Sequence, residues 1–404
     1  MSQSSVVALE IGTTKTVAIR GEMREDRSLS ITAMGECPTK GVRKGEVIDF
    51  ENALVCARTA LQEAENSGQT TIRDVYVAVS GGHIQSMVSD GSTPVNPSGV
   101  IAAEDVERAM AVARAINLPP DRELLHTICQ RFYVDNDKEG VIRPEGMEGA
   151  KLSVNVLALY GARSRLRQTI RAVQSVPMEI TDVAFGGLCS AMAALTGEQK
   201  ENGVVLIDLG GGTTDYIAYA NGTMVAAGAL GVGGDHVTND IAQAFGISVR
   251  QAERIKKEAG GAIVDPSGHA RRIPVPEEVG FAARNIPLNG LQTVIHARLH
   301  ETISMIKSRV EGGNLLQHVG TGVVLTGGGA RMRDVAELGE QVFGMPCTVG
   351  AAKGVTGIPS AITGPEYAAP IGLVRFAFRS PSIHREGGGL LDGVRRILGL
   401  EKRR

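Results

Sequence analysis

The fold of this chain is decided by the stretch VVLIDLGGGTTD, residues 204–215. A second stretch, VALEIGTTKT at residues 7–16, repeats its pattern almost 200 residues earlier. In both, an apolar run predicts a buried strand that ends at a carboxylate, an apolar residue and a glycine, with two threonines just beyond. Because glycine allows a tight turn with bare backbone N–H groups, each turn is suited to anionic oxygens. Two such loops facing each other would clamp a polyphosphate from both sides.

The side chains of the two loops have distinct predicted roles. Glu10 and Asp208 cannot bind phosphate themselves, so we interpret them as candidate catalytic residues that hold a metal ion or orient water. Asp208 is the candidate metal ligand. Lys15 either reaches phosphate as a point charge or is a solvated lysine at a strand edge. The other predicted phosphate contacts are backbone and hydroxyl donors: Gly12, Thr13, Thr14, Gly210, Gly211, Gly212, Thr213 and Thr214.

Composition limits the classes of function. The chain has 404 residues, enough for two to three domains, and a formal net charge of −2, which gives no general basic surface for nucleic acid. Trp is absent and aromatic residues make up 3%, so platforms for stacking single-stranded bases are not expected. The five cysteines are widely spaced without a CxxC pair, which favours reduced thiols in the cytosol. We identify no signal peptide and no apolar run long enough to span a bilayer.

The end of the chain has a pattern of its own. Residues 379–389 read as a flexible linker, and residues 390–404 as a short amphipathic helix with a formal charge of +3. This helix either docks on the protein, binds a partner or lies on a membrane surface, and the flanking cations favour the membrane. The predicted membrane residues are an apolar stripe and two adjacent arginines: Leu390, Leu391, Val394, Arg395, Arg396, Ile397 and Leu398.

A third strand followed by a glycine turn, VVLTGGGARM at residues 323–332, completes a pattern that resembles the actin/Hsp70/sugar-kinase superfamily. Over almost its whole length the chain resembles more closely the FtsA family of bacterial cell-division proteins. The specific pieces are LEIGTTK at 9–15, VSGGHI at 79–84, IAAEDV at 101–106, GMEG at 146–149 and LTGGGA at 325–330.

The resemblance implies a duplicated α/β core, with two lobes around a nucleotide cleft, an inserted α+β subdomain called 1C and a C-terminal amphipathic helix. The implied division is lobe 1A at 1–83 and 161–195, subdomain 1C at 84–160, lobe 2A at 196–235 and 313–378, lobe 2B at 236–312, a linker at 379–389 and the membrane-targeting helix at 390–404.

The resemblance also implies the remaining site residues. ATP with Mg²⁺ is the implied ligand, and Arg284 in lobe 2B is either a contact for the acidic C-terminal peptide of the tubulin-like protein FtsZ or an ordinary exposed arginine. Further nucleotide contacts carried over by motif are Gly233, Gly234, Glu253, Lys256, Gly327, Gly328 and Arg331.

The implied function is a scaffold that polymerises, binds anionic lipids of the inner membrane from the cytoplasmic side at the division septum, and tethers FtsZ there together with other division proteins. The segment that joins the lobes, residues 184–189, contains no carboxylate, so at most slow ATP hydrolysis is expected. The alternatives are an enzyme of the same superfamily, either a sugar kinase or a chaperone ATPase, and a scaffold of type IV pilus assembly.

Overall fold

The structure, a computed structural model, describes residues 5–26, 28–135, 137, 139–312, 315–357 and 360–383. The strands are β1 (Ser5–Ile11), β2 (Lys15–Met23), β3 (Leu29–Pro38), β4 (Val42–Arg43), β5 (Glu46–Val47), β6 (Asp74–Val79), β7 (Gln85–Pro94), β8 (Arg122–Val134), β9 (Lys151–Ala162), β10 (Glu179–Phe185), β11 (Val204–Leu209), β12 (Thr214–Ala220), β13 (Thr223–Leu230), β14 (Arg272–Val275), β15 (Arg284–Pro287), β16 (Val323–Thr326), β17 (Cys347–Val349) and β18 (Val355–Gly357).

The α-helices are α1 (Phe50–Gly68), α2 (Ala103–Arg114), α3 (Arg163–Gln174), α4 (Gly186–Ala194), α5 (Gly197–Glu201), α6 (Gly234–Phe245), α7 (Val249–Ala259), α8 (Leu288–Glu311), α9 (Val335–Phe343) and α10 (Ala368–Ile383). Short 3₁₀ turns lie at Pro266–Ala270, Leu315–His318, Gly328–Arg331, Ser360–Thr363 and Pro365–Tyr367.

Two sheets with the same core topology form the two lobes. The first has the strand order β10-β6-β1-β2-β3-β18, and the second has the order β13-β12-β11-β16-β17. In each lobe an antiparallel hairpin, β1–β2 or β11–β12, carries one of the glycine loops at its turn, and its first strand pairs in parallel with a later strand. The duplicated α/β core predicted from the sequence is therefore confirmed.

Alternating side chains cover both faces of the first sheet. Leu9 points into the core under α1 and α3, whereas its neighbour Ala8 points into a core under α10. Both residues are fully buried. Helix α10 itself buries Ile371, Leu373 and Val374 completely, and each such side chain contributes about 1.5–3 kcal/mol relative to an exposed one. The first lobe therefore holds α10 firmly.

The C-terminal part of the described chain belongs to the first lobe, which corrects the predicted division. Strand β18 pairs in parallel with β3, and α10 packs on the first sheet, so residues 355–378 do not join the second lobe as predicted. Helix α10 also continues through Ile383, so residues 379–383 are helical and not part of a linker. The three-residue strand was too short to detect by pattern, and helical periodicity does not reveal which sheet a helix packs on.

The insertion forms a small subdomain with the strand order β7-β9-β8, covered by α2. It contacts both lobes. The Ser86 hydroxyl donates to the Ala227 carbonyl over 2.6 Å, and the Gln130 amide donates to the Met224 carbonyl over 2.8 Å, so the insertion binds β13 of the second lobe. On the first lobe, the buried Nε2 of His126 accepts a hydrogen bond from the backbone N–H of Phe185 over 3.0 Å.

The His126 contact predicts a specific dependence of stability on pH. Burial lowers the pKa of His126 from 6.5 to about 4. Above pH 6.5 His126 is neutral in both the folded and the unfolded chain. As the pH falls from 6.5 towards 4, only the unfolded chain takes up the proton, which lowers the free energy of unfolding by about 2 kcal/mol at pH 5. His126→Gln keeps an acceptor for Phe185 but cannot titrate. Urea unfolding should show a shallower loss of stability between pH 6.5 and pH 5 in this variant, and an unchanged slope would contradict the assignment.

The second lobe carries a helical layer of its own. Helices α6, α7 and α8 pack around Ile241, Ile255 and Ile303, and the ribbon β14–β15 lies at the outer end. Within the residues that the structure describes, none of the helices combines the length and the apolar character that a bilayer-spanning helix needs. The predicted membrane residues between Leu390 and Leu398 lie outside the described residues.

Candidate functional site

A cleft of about 1020 Å³ separates the two lobes, and both glycine loops line it. The loops approach each other directly. A Cβ atom placed on Gly211 would lie 2.0 Å from Thr14 Oγ1, and one placed on Gly212 would lie 2.3 Å from Thr13 Oγ1. The two loops therefore face each other as predicted, because each one forms the turn of the equivalent hairpin in its own sheet. The lining includes every predicted nucleotide contact: Gly12, Thr13, Thr14, Lys15, Gly210, Gly211, Gly212, Thr213, Thr214, Gly233, Gly234, Glu253, Lys256, Gly327, Gly328 and Arg331.

Three carboxylates share the floor of the cleft. Burial and the nearby charge of Asp208 raise the pKa of Glu10 to about 7, and burial raises the pKa of Asp208 itself to about 6, against a hydrogen bond from Ser190. Burial and Asp208 also raise the pKa of Asp215 well above its usual value. Because the three carboxylates are buried and close together, each disfavours ionisation of the others, and a bound cation would relieve that repulsion.

Asp215 is the functional candidate that sequence reasoning missed. Its Oδ1 accepts a 2.6 Å hydrogen bond from the Ser80 hydroxyl, and a backbone hydrogen bond links it to Gly187 at the start of α4. It therefore supplies a carboxylate beside the lobe-joining segment, whose own residues have none. Asp215 is the last residue of the stretch 204–215, so the sequence shows it. Only the register of the β11–β12 hairpin, which pairs Asp215 with Asp208, reveals that it lies beside the other carboxylates of the cleft.

Lys15 does lie at the cleft, but other groups hold its ammonium. The Nζ atom is 3.5 Å from Glu36 Oε2 and 3.3 Å from the centre of the Tyr367 ring. The Tyr367 hydroxyl donates to the same Glu36 carboxylate over 2.8 Å. Burial lowers the pKa of Lys15 against the opposing fields of Glu36 and Glu10. A phosphate contact by Lys15 requires this arrangement to open.

The predicted pair on α7 is formed. Lys256 Nζ lies 2.6 Å from Glu253 Oε2 and donates to the Gly234 carbonyl over 3.1 Å, which joins α7 to the start of α6. Burial would raise the pKa of Glu253, but Lys256 and a hydrogen bond from Thr238 lower it to about 2. Glu253 is thus ionised, and the pair lies on the wall of the cleft that the second lobe forms.

The third glycine turn closes another side of the cleft. Gly327 has a φ of +81°, and a Cβ there would lie 2.1 Å from Asp208 Oδ1, so a side chain is excluded on both grounds. Arg331 Nη1 lies 2.5 Å from Glu366 Oε1, which ties this turn to the segment before α10. This ion pair therefore connects the turn, which belongs to the second lobe, with the C-terminal part of the first lobe.

Some predicted contacts face the protein rather than the open cleft. The Thr214 hydroxyl is buried and donates to the Val232 carbonyl over 2.8 Å, so it braces the loop. The N–H groups of Gly234 and Asp235 donate to the carbonyls of Gly210 and Gly211 over 3.0 and 2.8 Å. The turn before α6 therefore supports the second glycine loop from behind.

Arg284 lies apart from the cleft. It is exposed on β15 and borders a separate cavity of about 580 Å³ beside α7 and β14. This cavity is lined by two arginines, one glutamate and mostly apolar or small residues: Arg254, Glu258, Pro274, Val275, Pro276, Ala283, Arg284 and Asn285. An arginine at the rim of an apolar depression is suited to a peptide with apolar and acidic side chains.

Comparisons with known proteins agree with this architecture. The family model described as "Cell division protein FtsA" matches residues 205–372, and that of the "SHS2 domain inserted in FTSA" matches residues 81–160, which is the inserted subdomain. Cell division protein FtsA of Pseudomonas aeruginosa is 32% identical over 94% of this chain and 91% of its own length. The FtsA of Escherichia coli K12 is 31% identical over 93% of this chain and 90% of its own.

Solved structures show the same fold at lower identity. The PilM–PilN type IV pilus biogenesis complex matches with a TM-score of 0.63 and 17% identity, over 93% of this chain and 98% of that one. MreB5 of Spiroplasma citri bound to AMPPNP matches with a TM-score of 0.56 and 13% identity, over 95% and 98%. With the duplicated core, the SHS2 insertion and relatives above 30% identity over nearly the full length, the chain belongs to the FtsA family of actin-like cell-division proteins.

Proposed function

We propose that this chain binds ATP in the cleft, polymerises at the cytoplasmic face of the inner membrane and tethers FtsZ to it during assembly of the division ring. The observation that carries the proposal is the pair of opposed glycine loops, Gly12–Thr14 and Gly210–Thr213, on matching hairpins of a duplicated core. Such loops suit a nucleotide polyphosphate, because successive backbone N–H groups and hydroxyls can surround its oxygens.

The carboxylates fit Mg²⁺ as a companion of ATP. Among the described residues, no three acidic, histidine or cysteine side chains converge closely enough to hold a metal by themselves. Mg²⁺ bound with a nucleotide usually takes one or two carboxylates and completes its shell with water and phosphate oxygens. Asp208 would hold the ion, directly or through water, with Glu10 and Asp215 beside it. The bound ion would neutralise phosphate charge.

Turnover in this site is proposed to be slow. The segment that joins the lobes, residues 184–189, contains no carboxylate to orient water, and burial and Asp208 raise the pKa of the neighbouring Asp215, which disfavours its ionised form. ATP then acts mainly as a ligand that holds the two lobes together. This fits an assembly protein better than a metabolic kinase.

FtsZ is proposed to bind at the Arg284 cavity in the outer part of the second lobe. Arg284 and Arg254 give its rim positive charge, and Val275 and the prolines give an apolar floor. The acidic C-terminal peptide of FtsZ has the complementary charge. The membrane contact is proposed to be the predicted helix at residues 390–404.

Arg284→Glu should weaken this tether by reversing one charge at the rim of the cavity. In co-sedimentation with anionic vesicles and ATP, the chain itself should still pellet, while the amount of FtsZ carried down falls about tenfold and depends less on salt. Arg272→Glu is the matched control, because Arg272 is equally exposed on the adjacent strand but lies outside the cavity. Equal loss of FtsZ in both variants, or in neither, would exclude this cavity as the site.

A further inference from the structure

Four cationic residues gather where the described chain ends. Arg375 and Arg379 lie on α10, Lys353 lies in the loop between β17 and β18, and Lys200 lies on α5. Arg375 joins the group, since its guanidinium donates to the Met192 carbonyl over 2.9 Å and also to the carbonyl of Lys353. The cluster therefore spans three segments far apart in sequence that the packing of α10 on the first lobe brings together.

The positive charges of the cluster repel one another. Arg375 and Arg379 are four residues apart on one helix face, where like charges repel, and α10 contains no carboxylate to offset them. Lys200 lies 5.1 Å from the centre of the Tyr219 ring, and burial together with the fields of Arg379 and Arg375 lowers its pKa to about 8. Burial and Arg379 likewise lower the pKa of Arg375.

Two acids near this face offset half of its formal charge. Helix α5 carries Glu198 and Glu201 beside Lys200, which leaves two net positive charges on the face. The Glu201 carboxylate is turned towards Gly222, where a Cβ would lie 2.5 Å from its Oε1. Lys353 and Arg379 are both exposed. The face therefore presents positive charge to solvent at the site where an anionic partner would relieve the repulsion.

We propose that the face formed by Lys200, Lys353, Arg375 and Arg379 docks on the anionic headgroups of the membrane, so that the body of the protein lies against the bilayer. The inference rests on the proposed function, because it requires the tail to bring this face to the membrane. Its geometry is favourable. Helix α10 ends at Ile383, four residues after Arg379, and the seven residues from there to Leu390 reach at most about 25 Å.

The charge of the face should act as a second membrane contact beside the tail. Cations near an anionic leaflet are each attracted, and the attraction vanishes beyond a Debye length of about 8 Å at physiological salt. Because the tail keeps the face close, even this modest attraction acts at a high effective concentration. An open face with several cations suits the many anionic phospholipid headgroups of a membrane surface rather than one defined ligand.

The test compares double variants of the full chain in sedimentation with vesicles of phosphatidylcholine containing 30% phosphatidylglycerol. Lys353→Gln with Arg379→Gln removes two exposed charges of the face and should weaken binding roughly tenfold and flatten its salt dependence. Arg58→Gln with Arg171→Gln is the matched control. These arginines are equally exposed, but they lie on α1 and α3, across the first sheet from α10, and their loss should leave binding within twofold.

A third variant, Ile397→Asp with Leu398→Asp, separates this inference from the proposed function. If the tail variant loses binding while the face variant binds like its control, the face proposal is wrong and the tail anchor stands. If the tail variant binds like the parent, the anchor itself is wrong. If the face variant binds vesicles normally but loses an acidic protein partner, the face serves a protein and the lipid proposal is overturned.

Discussion

Replacing Ile397 and Leu398 by aspartate is expected to abolish binding to anionic vesicles. Burial of two large apolar side chains contributes about 3–6 kcal/mol, so their loss should weaken membrane binding more than 100-fold. The remaining charge of the tail, +3 before the change, contributes roughly 3 kcal/mol, and the two new carboxylates remove most of that attraction. Sedimentation over a range of protein concentrations measures the effect.

A charge-matched control is available in the same tail. Gly387→Asp with Gly388→Asp adds the same two negative charges outside the apolar stripe and should weaken binding by at most about 30-fold, since each charge costs about 1 kcal/mol. ATP affinity should be unchanged in both variants.

Because linked tails raise avidity by about 10²–10⁴, binding of the parent should also rise steeply with assembly. A double-aspartate variant that still pellets with vesicles would remove the membrane assignment, and a monomer that binds as tightly as the polymer would remove the avidity mechanism.

Gly211→Val is expected to abolish ATP binding. The Cβ would lie 2.0 Å from Thr14 Oγ1 and 3.3 Å from Thr14 Cβ, so the Thr14 hydroxyl must turn away or its loop must move. Each charge-assisted hydrogen bond to phosphate contributes about 1.5–3 kcal/mol, and loss of two of them weakens a micromolar site about 100-fold or more. Calorimetric titration with ATP and Mg²⁺ measures the loss directly.

The control for this variant is Gly197→Val. A Cβ at Gly197 meets no atom within 4 Å, so this residue tolerates a side chain. Both variants should unfold at similar temperatures, since Gly211 lies in a loop at the cleft. Retention of wild-type affinity by Gly211→Val would show that ATP does not bind between these loops.

Sequence alone predicted the parts of the fold that repeat a local pattern. The strands before Gly12 and Gly210 are buried apolar runs with glycine at the turn, and these features depend only on neighbouring residues. Their duplication implied that the loops face each other, as they do. The pair Glu253 and Lys256 was also predictable, because helical spacing places both side chains on one face.

The features that the sequence does not reveal all depend on long-range packing. Asp215 was overlooked because its role depends on Ser80 and Gly187, which precede it by many residues. The phosphate contact of Lys15 stays a prediction, and its partners in the structure, Glu36 and Tyr367, come from a neighbouring strand and from a segment about 350 residues away. The return of α10 to the first lobe was missed because its apolar pattern fits either sheet.

The return of α10 has a mechanical consequence. The chain departs towards its tail from the first lobe, whereas the Arg284 cavity lies in the second. In the proposed arrangement, a pull between an FtsZ filament and the membrane enters at one lobe and leaves at the other, so the tension crosses the cleft. ATP between the loops would then act as a clasp in series with that force, and its release would let the two halves part under load.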